Sequence, residues 1–265
     1  MVKHLLDVGN IYLTESELEK CREFALVSAR SQQAIEFGQR TTKARSVNEI
    51  ARDNLIGKIA EVAFSKMMKE NYGIEVPLDF NYYPRGQWDN QDAVINGWRI
   101  DVKGTRKGVQ WMLIEWNKLN FRQRDNNLSH LYAMFTVDWD RSKDQPTGRA
   151  SYKGAVSLNK LKAGCPTTVI LRKGTKLPGT GAYLQADNYG IRFKDLYKHL
   201  NRLVGYLTAD APPQSMTDNF RNPYTTGQTT LEIIGQSGTQ DVQNAPAQKE
   251  KKGFFAWLRS LFRKD

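Results

Sequence analysis

An Asn-Gly pair between two alternating runs is the feature that most constrains the fold of this chain. In the segment QDAVINGWRIDVKGTR, residues 91–106, Asn96 and Gly97 separate a short run of alternating residues from a longer one. Asn-Gly is the strongest short-range signal for a two-residue β-hairpin, because both central residues of that turn need a positive φ. The sequence therefore predicts an antiparallel hairpin in which Asp92 lies opposite Asp101.

This register places three charged side chains on one face of the hairpin. Asp92 and Asp101 would have Cβ atoms ~5 Å apart, where like charges destabilise a sheet. Lys103 points to the same face as Asp101, because side chains alternate along a strand, while Ile100 and Val102 point to the core. A hard divalent cation takes carboxylate oxygens as ligands and would compensate the paired acids. We therefore predict a Mg²⁺ site on this face, which Mn²⁺ can also fill.

Two capping boxes predict helices before the hairpin. Thr14 to Glu17 and Ser46 to Glu49 both read S/T-x-x-E, in which the hydroxyl caps backbone N–H groups and the glutamate reaches back to the cap. Glycine ends helices in the left-handed conformation. The expected helices run from about Glu15 to Gly38 and from about Val47 to Gly73.

The second of these helices offers a third acid. Glu61 borders its apolar stripe, and Gly57, one turn earlier, has no side chain to hold this face away from the sheet. Glu61 is therefore a candidate auxiliary ligand. The alternative interpretations are plain ones: Glu61 is an exposed helix residue in contact with Ser65, and Asp-x-Lys in a strand is a solvated ion pair.

The period of the sequence changes after the second helix. Short segments rich in β-branched and aromatic residues predict strands at Asp92–Ile95, Trp98–Val102, Trp111–Glu115, Leu131–Val137 and Thr168–Leu171. A helical period returns over Phe193–Leu203. The expected class is α/β.

These residues resemble the core of the PD-(D/E)XK nuclease superfamily. The resemblance rests on Gly57-x-x-x-Glu61 on a helix, then Asp92, then Asp101-Val102-Lys103 on adjacent strands, and it covers about residues 46–138. It implies a restriction-endonuclease-like core, a mixed central sheet flanked by helices, and Mg²⁺-dependent hydrolysis of phosphodiester bonds. By position, Asp92 and Asp101 would be metal ligands, Glu61 an auxiliary ligand, and Lys103 the residue that positions or polarises the attacking water. Gln91 stands where the family motif has proline, and Asp101 where glutamate is commoner.

Charge indicates the class of partner. The chain has 265 residues and a formal net charge of +11, which favours polyanionic partners, first nucleic acid and then anionic membrane. Arg99, Arg106 and Lys107 are candidate phosphate contacts near the acids. The two cysteines are far apart and without CxxC spacing, which excludes a disulfide scaffold. We expect a cytoplasmic protein, with peripheral membrane association as an open alternative.

The C-terminal part differs in composition. Of the 38 residues from Ala211 to Gln248, 24 are Gln, Asn, Ser, Thr, Gly or Pro, which predicts a polar disordered linker over 209–252. A basic amphipathic helix is then expected over 253–265, and its apolar stripe consists of Phe254, Trp257, Leu258, Leu261 and Phe262. The stripe suits a groove on a partner protein and an anionic membrane surface equally.

The expected organisation is a nuclease-like domain over 1–208, with N-terminal helices over 1–45 and the core over 46–208, followed by the linker and the terminal helix. The expected function is that of a Mg²⁺-dependent DNA endonuclease. Cutting of both strands would be easiest for a homodimer with paired sites. Two alternatives stay open, a non-catalytic nucleic-acid-binding module on the same fold and an interaction protein recruited by a membrane or partner.

Overall fold

The computed structural model of the chain describes residues 9–32, 46–82, 92–115, 128–162, 168–177, 183–213 and 232–234. They form a mixed α/β fold with two sheets. In chain order the elements are β1 (Asn10–Tyr12), α1 (Glu15–Gln32), α2 (Val47–Tyr72), β2 (Ala93–Ile95), β3 (Trp98–Arg106), β4 (Trp111–Glu115), β5 (Leu131–Asp140), β6 (Gln145–Ser157), α3 (Leu158–Lys162), β7 (Thr168–Leu171), β8 (Asn188–Arg192), α4 (Leu200–Ala209) and β9 (Glu232–Ile234).

The predicted hairpin is present and lies at the edge of a mixed sheet. The strand order is β1-β6-β5-β3-β2; β3 and β5 run parallel and the other neighbours antiparallel. Asn96 and Gly97 have φ angles of 45° and 79°, and Ile95 pairs with Trp98, which confirms the predicted register. The ladder of β2 begins at Ala93, so Asp92 lies just before the strand and not within it.

Both capping boxes form as predicted. Ser46 accepts a hydrogen bond from the Glu49 N–H and the Glu49 carboxylate accepts one from the Ser46 N–H; Thr14 and Glu17 make the same reciprocal pair. Helix α2 ends where glycine was expected to end it, with Gly73 at φ 67°. The part of the first predicted helix beyond Gln32, up to Gly38, lies outside the described residues.

Helix α2 packs directly on β3, and the glycine that permits this approach is in the strand. A Cβ added at Gly104 would lie 2.5 Å from the Ile56 carbonyl oxygen and 3.0 Å from the Ala60 Cβ. The expectation that Gly57 provides the close approach is wrong, because a Cβ there would meet nothing within 4 Å. The contact buries Ile100 and Val102 of β3 in one core with α1, α2 and α4.

The second sheet covers the opposite face of the first. Its strand order is β4-β8-β7-β9, and it packs against Tyr132 and Met134 of β5 in a second core. Strand β5 is therefore buried on both faces from Leu131 to Val137. Where the sequence analysis expected helices to flank the sheet, the described helices α1 and α2 pack on one face, and strands cover the other.

The continuous helix expected over Phe193–Leu203 is wrong. Phe193–Asp195 forms a 3₁₀ turn, Leu196 is extended with φ −71° and ψ 149°, and α4 begins only at Leu200. The reason is a β-bridge: the N–H groups of Ala155 and Tyr197 each donate to the other residue's carbonyl oxygen at 2.9 Å. A backbone group used in this bridge is not available to a helix.

The predicted linker contributes to the fold. Trp98 donates its indole N–H to the Asp210 carbonyl oxygen at 2.6 Å, and β9 pairs in parallel with β7 inside the segment expected to be unstructured. The terminal helix and its apolar residues, Phe254, Trp257, Leu258, Leu261 and Phe262, lie outside the described residues. Among the helices of the described ranges, none is both long and apolar enough to cross a membrane.

Candidate functional site

The hairpin carries Asp101 and Lys103 on the face predicted for them. In the parallel ladder Asp101 lies beside Tyr132 and Lys103 beside Met134, on the side opposite to Ile100. The Lys103 Nζ is 2.5 Å from the Asp101 Oδ1, and the two side chains are 25% and 21% exposed. The ion pair is therefore about three-quarters buried, and part of each side chain remains accessible to solvent.

Lys103 stays charged in this setting. Burial lowers the pKa of the Lys103 ammonium, but the carboxylates of Asp101 and Asp92, with a smaller contribution from Glu61, outweigh burial and raise the pKa above its usual value. The raised pKa favours the protonated amine, so Lys103 supplies positive charge and does not act as a proton acceptor.

Asp92 lies just before the start of β2, near the ion pair of Asp101 and Lys103. Its Oδ2 accepts a hydrogen bond of 2.6 Å from the Val102 N–H, which ties the carboxylate to the middle of the Asp-x-Lys element. Burial raises the pKa of the Asp92 carboxyl well above its usual range, and the carboxylates of Asp101 and Glu61 raise it further. Lys103 and the Val102 N–H oppose this rise without cancelling it. Burial and the neighbouring carboxylates therefore favour the neutral form of Asp92.

Glu61 approaches from α2, but a buried lysine holds it. The Lys58 ammonium forms an ion pair with the Glu61 Oε2, donates to the Asp79 carbonyl oxygen at 2.8 Å, and lies 4.2 Å from the centroid of the Phe24 ring. Lys58 is 2% exposed, so these contacts take the place of water. Glu61 nevertheless contributes to the pKa shifts of both Asp92 and Lys103, which places the three groups in one electrostatic cluster.

The donor chemistry of this cluster fits a divalent cation. Glu61, Asp92 and Asp101 bring three carboxylates against the ammonium groups of Lys58 and Lys103. A hard cation would stabilise the ionised form of Asp92, which burial and the neighbouring carboxylates disfavour. Within the described ranges, however, no three His, Cys, Asp or Glu side chains converge closely enough to hold a metal ion. Asp101 forms an ion pair with Lys103, and Glu61 forms one with Lys58. The three acids therefore lie near one another without converging on a common point.

Two further residues belong to this region: Lys58, which was not predicted from the sequence, and His130, which was expected to be a packing or surface histidine. Lys58 is visible as a cation three residues before Glu61 in an otherwise apolar helix face, a spacing that brings side chains together. His130 is buried, and its Nδ1 accepts a hydrogen bond of 2.9 Å from the Arg99 N–H. Nothing in the local sequence marks His130, because its partner is 31 residues away.

The three basic residues predicted to contact phosphate do not form one group. Arg99 is near the start of β3, where its Nε donates to the Leu128 carbonyl oxygen at 3.0 Å. Arg106 ends the same strand, with its guanidinium 5.7 Å from the centroid of the Trp139 ring, and Lys107 follows it and pairs with Asp138 at 3.5 Å. Seven residues of strand separate Arg99 from Arg106, which is ~23 Å.

Comparison of the chain with protein-family models, with curated proteins and with solved structures found no match in any of the three. The class of this protein therefore rests on its own fold and site.

Proposed function

We propose that this chain is a Mg²⁺-dependent nuclease of the PD-(D/E)XK type that hydrolyses phosphodiester bonds, with DNA as the expected substrate. One observation carries the proposal: Asp101 and Lys103 form an ion pair on β3, the Asp92 carboxylate accepts a hydrogen bond from the Val102 N–H between them, and Glu61 of α2 is within electrostatic reach. The mixed sheet with α2 packed across β3 is compatible with a restriction-endonuclease-like core.

In this proposal the charge of each residue determines its role in hydrolysis. Asp92 and Asp101 would hold Mg²⁺, with Glu61 as an auxiliary ligand. When bound, the ion neutralises the scissile phosphate and lowers the pKa of a coordinated water. Lys103 remains cationic beside them, so it attracts the phosphate, orients the attacking water and stabilises the negative charge that develops in the transition state.

A second function is favoured by a specific observation. Because Lys103 engages Asp101 and Lys58 engages Glu61, the acids of the described chain do not meet in one metal-binding group. A protein in which these pairs persist would bind nucleic acid through its net charge of +11 without cutting it. An assay for cleavage distinguishes the two functions, because only the nuclease would cut nucleic acid.

The test is incubation with supercoiled plasmid, linear duplex DNA and single-stranded RNA in Mg²⁺, Mn²⁺ or EDTA. We expect cleavage only with metal, and a loss of at least about 100-fold in Asp101→Asn and in Lys103→Ala, because each removes a group that acts on the developing charge. Glu23→Gln is the matched control, since Glu23 is an exposed carboxylate on α1. Cutting that survives both substitutions would refute the site, and binding without cutting would favour the second function.

A further inference from the structure

A second concave site lies away from the acids. A cavity of about 670 Å³ opens between the end of β3, the middle of β6 and the segment that leads into α4. Its lining includes four lysines and no acidic residue among the described residues: Lys107, Lys153, Lys194 and Lys198. Four cations from three separate parts of the chain therefore surround one cavity.

The charge of this cavity is only partly compensated. Asp138 pairs with one of the lining lysines, and its carboxylate is shared by Lys107 at 3.5 Å and Arg149 at 3.7 Å. Burial lowers the pKa of Lys153; Asp138 opposes this, but the positive charges of Arg149, Lys107 and Lys198 lower it further. The lysines are close enough to repel one another, and an anion between them would relieve that repulsion.

A helix terminus adds to the positive potential. Leu200, the first residue of the ten-residue helix α4, lines the cavity, and the N-cap residue His199 makes no side-chain capping hydrogen bond. The start of an α-helix carries partial positive charge and N–H groups that have no partner inside the helix. Such a terminus beside lysines is suited to phosphate oxygens.

The position of the cavity relates it to the acids. Lys107 lies four residues after Lys103, and its N–H continues the β3 ladder by donating to the Val137 carbonyl oxygen at 3.1 Å. Thr136, which also lines the cavity, pairs with Thr105 of β3. Four residues of β-strand span ~13 Å, a distance that the backbone of a nucleic acid covers within a few nucleotides. A nucleic-acid strand that has one phosphate at Lys103 can therefore extend into the cavity.

We propose that this lysine-lined cavity binds the sugar-phosphate backbone of the nucleic acid that the Asp101–Lys103 site acts on, a few nucleotides from the scissile bond. The inference rests on the proposed function for its substrate. The volume and the spread of cations around it fit several consecutive phosphates better than a single one. Tyr152 and Gln110 on the lining add an aromatic ring and an amide that can contact sugar or base.

The test is equilibrium binding of labelled DNA in EDTA over a range of salt concentrations. Lys194→Gln combined with Lys198→Gln removes two exposed cations that are not needed for packing, and Lys153→Gln is the second variant. For the double variant we expect affinity to fall at least about tenfold near 0.1 M salt, and the slope of log K against log salt to decrease by about 2. Lys20→Gln combined with Lys69→Gln, which removes two exposed lysines from α1 and α2, should change affinity by less than about twofold.

Equal effects of the cavity and control variants would overturn the proposal, since net charge alone would then account for binding. It would also be overturned if pyrophosphate bound in a lysine-dependent way while DNA affinity stayed that of the wild type, because the cavity would then serve a small phosphorylated ligand. If DNA binding depends on the lysines but no condition gives cleavage, the cavity assignment stands and the nuclease assignment fails.

Discussion

His130, the residue just before β5, connects that strand to the start of β3. Its backbone N–H donates to the Arg99 carbonyl oxygen at 2.8 Å, its ring accepts from the Arg99 N–H, and the Trp98 ring packs edge-on against it with centroids 5.8 Å apart. Burial lowers the pKa of His130 to about 4, and the positive charge of Arg99 contributes. The imidazole is therefore neutral in the folded protein at pH values where an unfolded chain protonates it.

This difference predicts a pH dependence of stability. The pKa of His130 is about 4 when folded and about 6.5 when unfolded, so its contribution is complete above about pH 6.5 and is lost as the pH falls toward 4. In urea unfolding in EDTA, we expect wild type to lose more free energy of unfolding between pH 7 and pH 5 than His130→Gln does. Identical losses in the two proteins would show that His130 is not the group responsible.

Lys58 is the residue on which the position of Glu61 depends. Lys58→Met keeps an unbranched side chain but leaves Glu61 without its ion-pair partner in a mostly buried place. We expect the free energy of unfolding to decrease by about 2–4 kcal/mol, as for a broken buried pair. Adding Glu61→Gln should recover part of the loss, and a double-mutant cycle from urea unfolding measures the coupling. Additive effects would mean that the pair contributes nothing to the fold.

The residues of the site differ in how well their positions and contacts could be predicted from the sequence. Asp101 and Lys103 follow from strand alternation and from the Asn96-Gly97 turn, both local in sequence, and the structure places the two side chains together. The environment of Glu61 could not be predicted, because it depends on Phe24 and on the Asp79 carbonyl, which only the tertiary fold brings to Lys58.

At the scale of elements, the contact between α2 and β3 depends on the absence of one side chain. In Gly104→Ala the new Cβ would meet the Ile56 backbone oxygen at 2.5 Å, and backbone in a helix cannot easily move away. We expect a loss of about 1–3 kcal/mol in the free energy of unfolding, measured in urea.

Gly57→Ala is the matched comparison for that substitution. A Cβ at Gly57 has nothing within 4 Å, and alanine is a better helix former than glycine by about 0.5–1 kcal/mol. We therefore expect Gly57→Ala to leave stability unchanged or raise it by that amount. Equal destabilisation by both alanines would contradict the packing of α2 on β3.

Local signals predicted those elements whose ends and faces are set within a few residues. Helix α2 has a capping box and a terminal glycine, and β4 and β7 have the predicted bounds. Helix α4 was misplaced because the apolar spacing at Phe193 and Leu196 is helical, while the Tyr197 backbone pairs with Ala155 of β6. That bridge is a long-range contact, and β6 itself, with Gly148 and Gly154 at positive φ, lacks regular alternation.

On the scale of the whole molecule, β5 belongs to two cores at once. Phe135 packs with the helices and Met134 with the second sheet. Because one strand carries both contacts, we expect Met134→Ala, which damages only the second core, to lower the free energy of unfolding by about 2–5 kcal/mol while unfolding stays a single transition. Coincident near- and far-UV circular dichroism curves in urea would confirm this. Two separated transitions would show that the second sheet unfolds independently.

Strand β9 limits how far from the fold the C-terminal segment can extend. Pro213 is the last described residue before this strand, and Gly253, forty residues further along, could lie up to about 140 Å from it at 3.3–3.6 Å per residue. Pairing of Ile234 with Leu171 moves the anchor to within nineteen residues of Gly253. The upper limit of the distance to Gly253 then falls to about 65 Å. Strand β9 therefore halves the maximum distance at which the basic C-terminal segment can contact a surface.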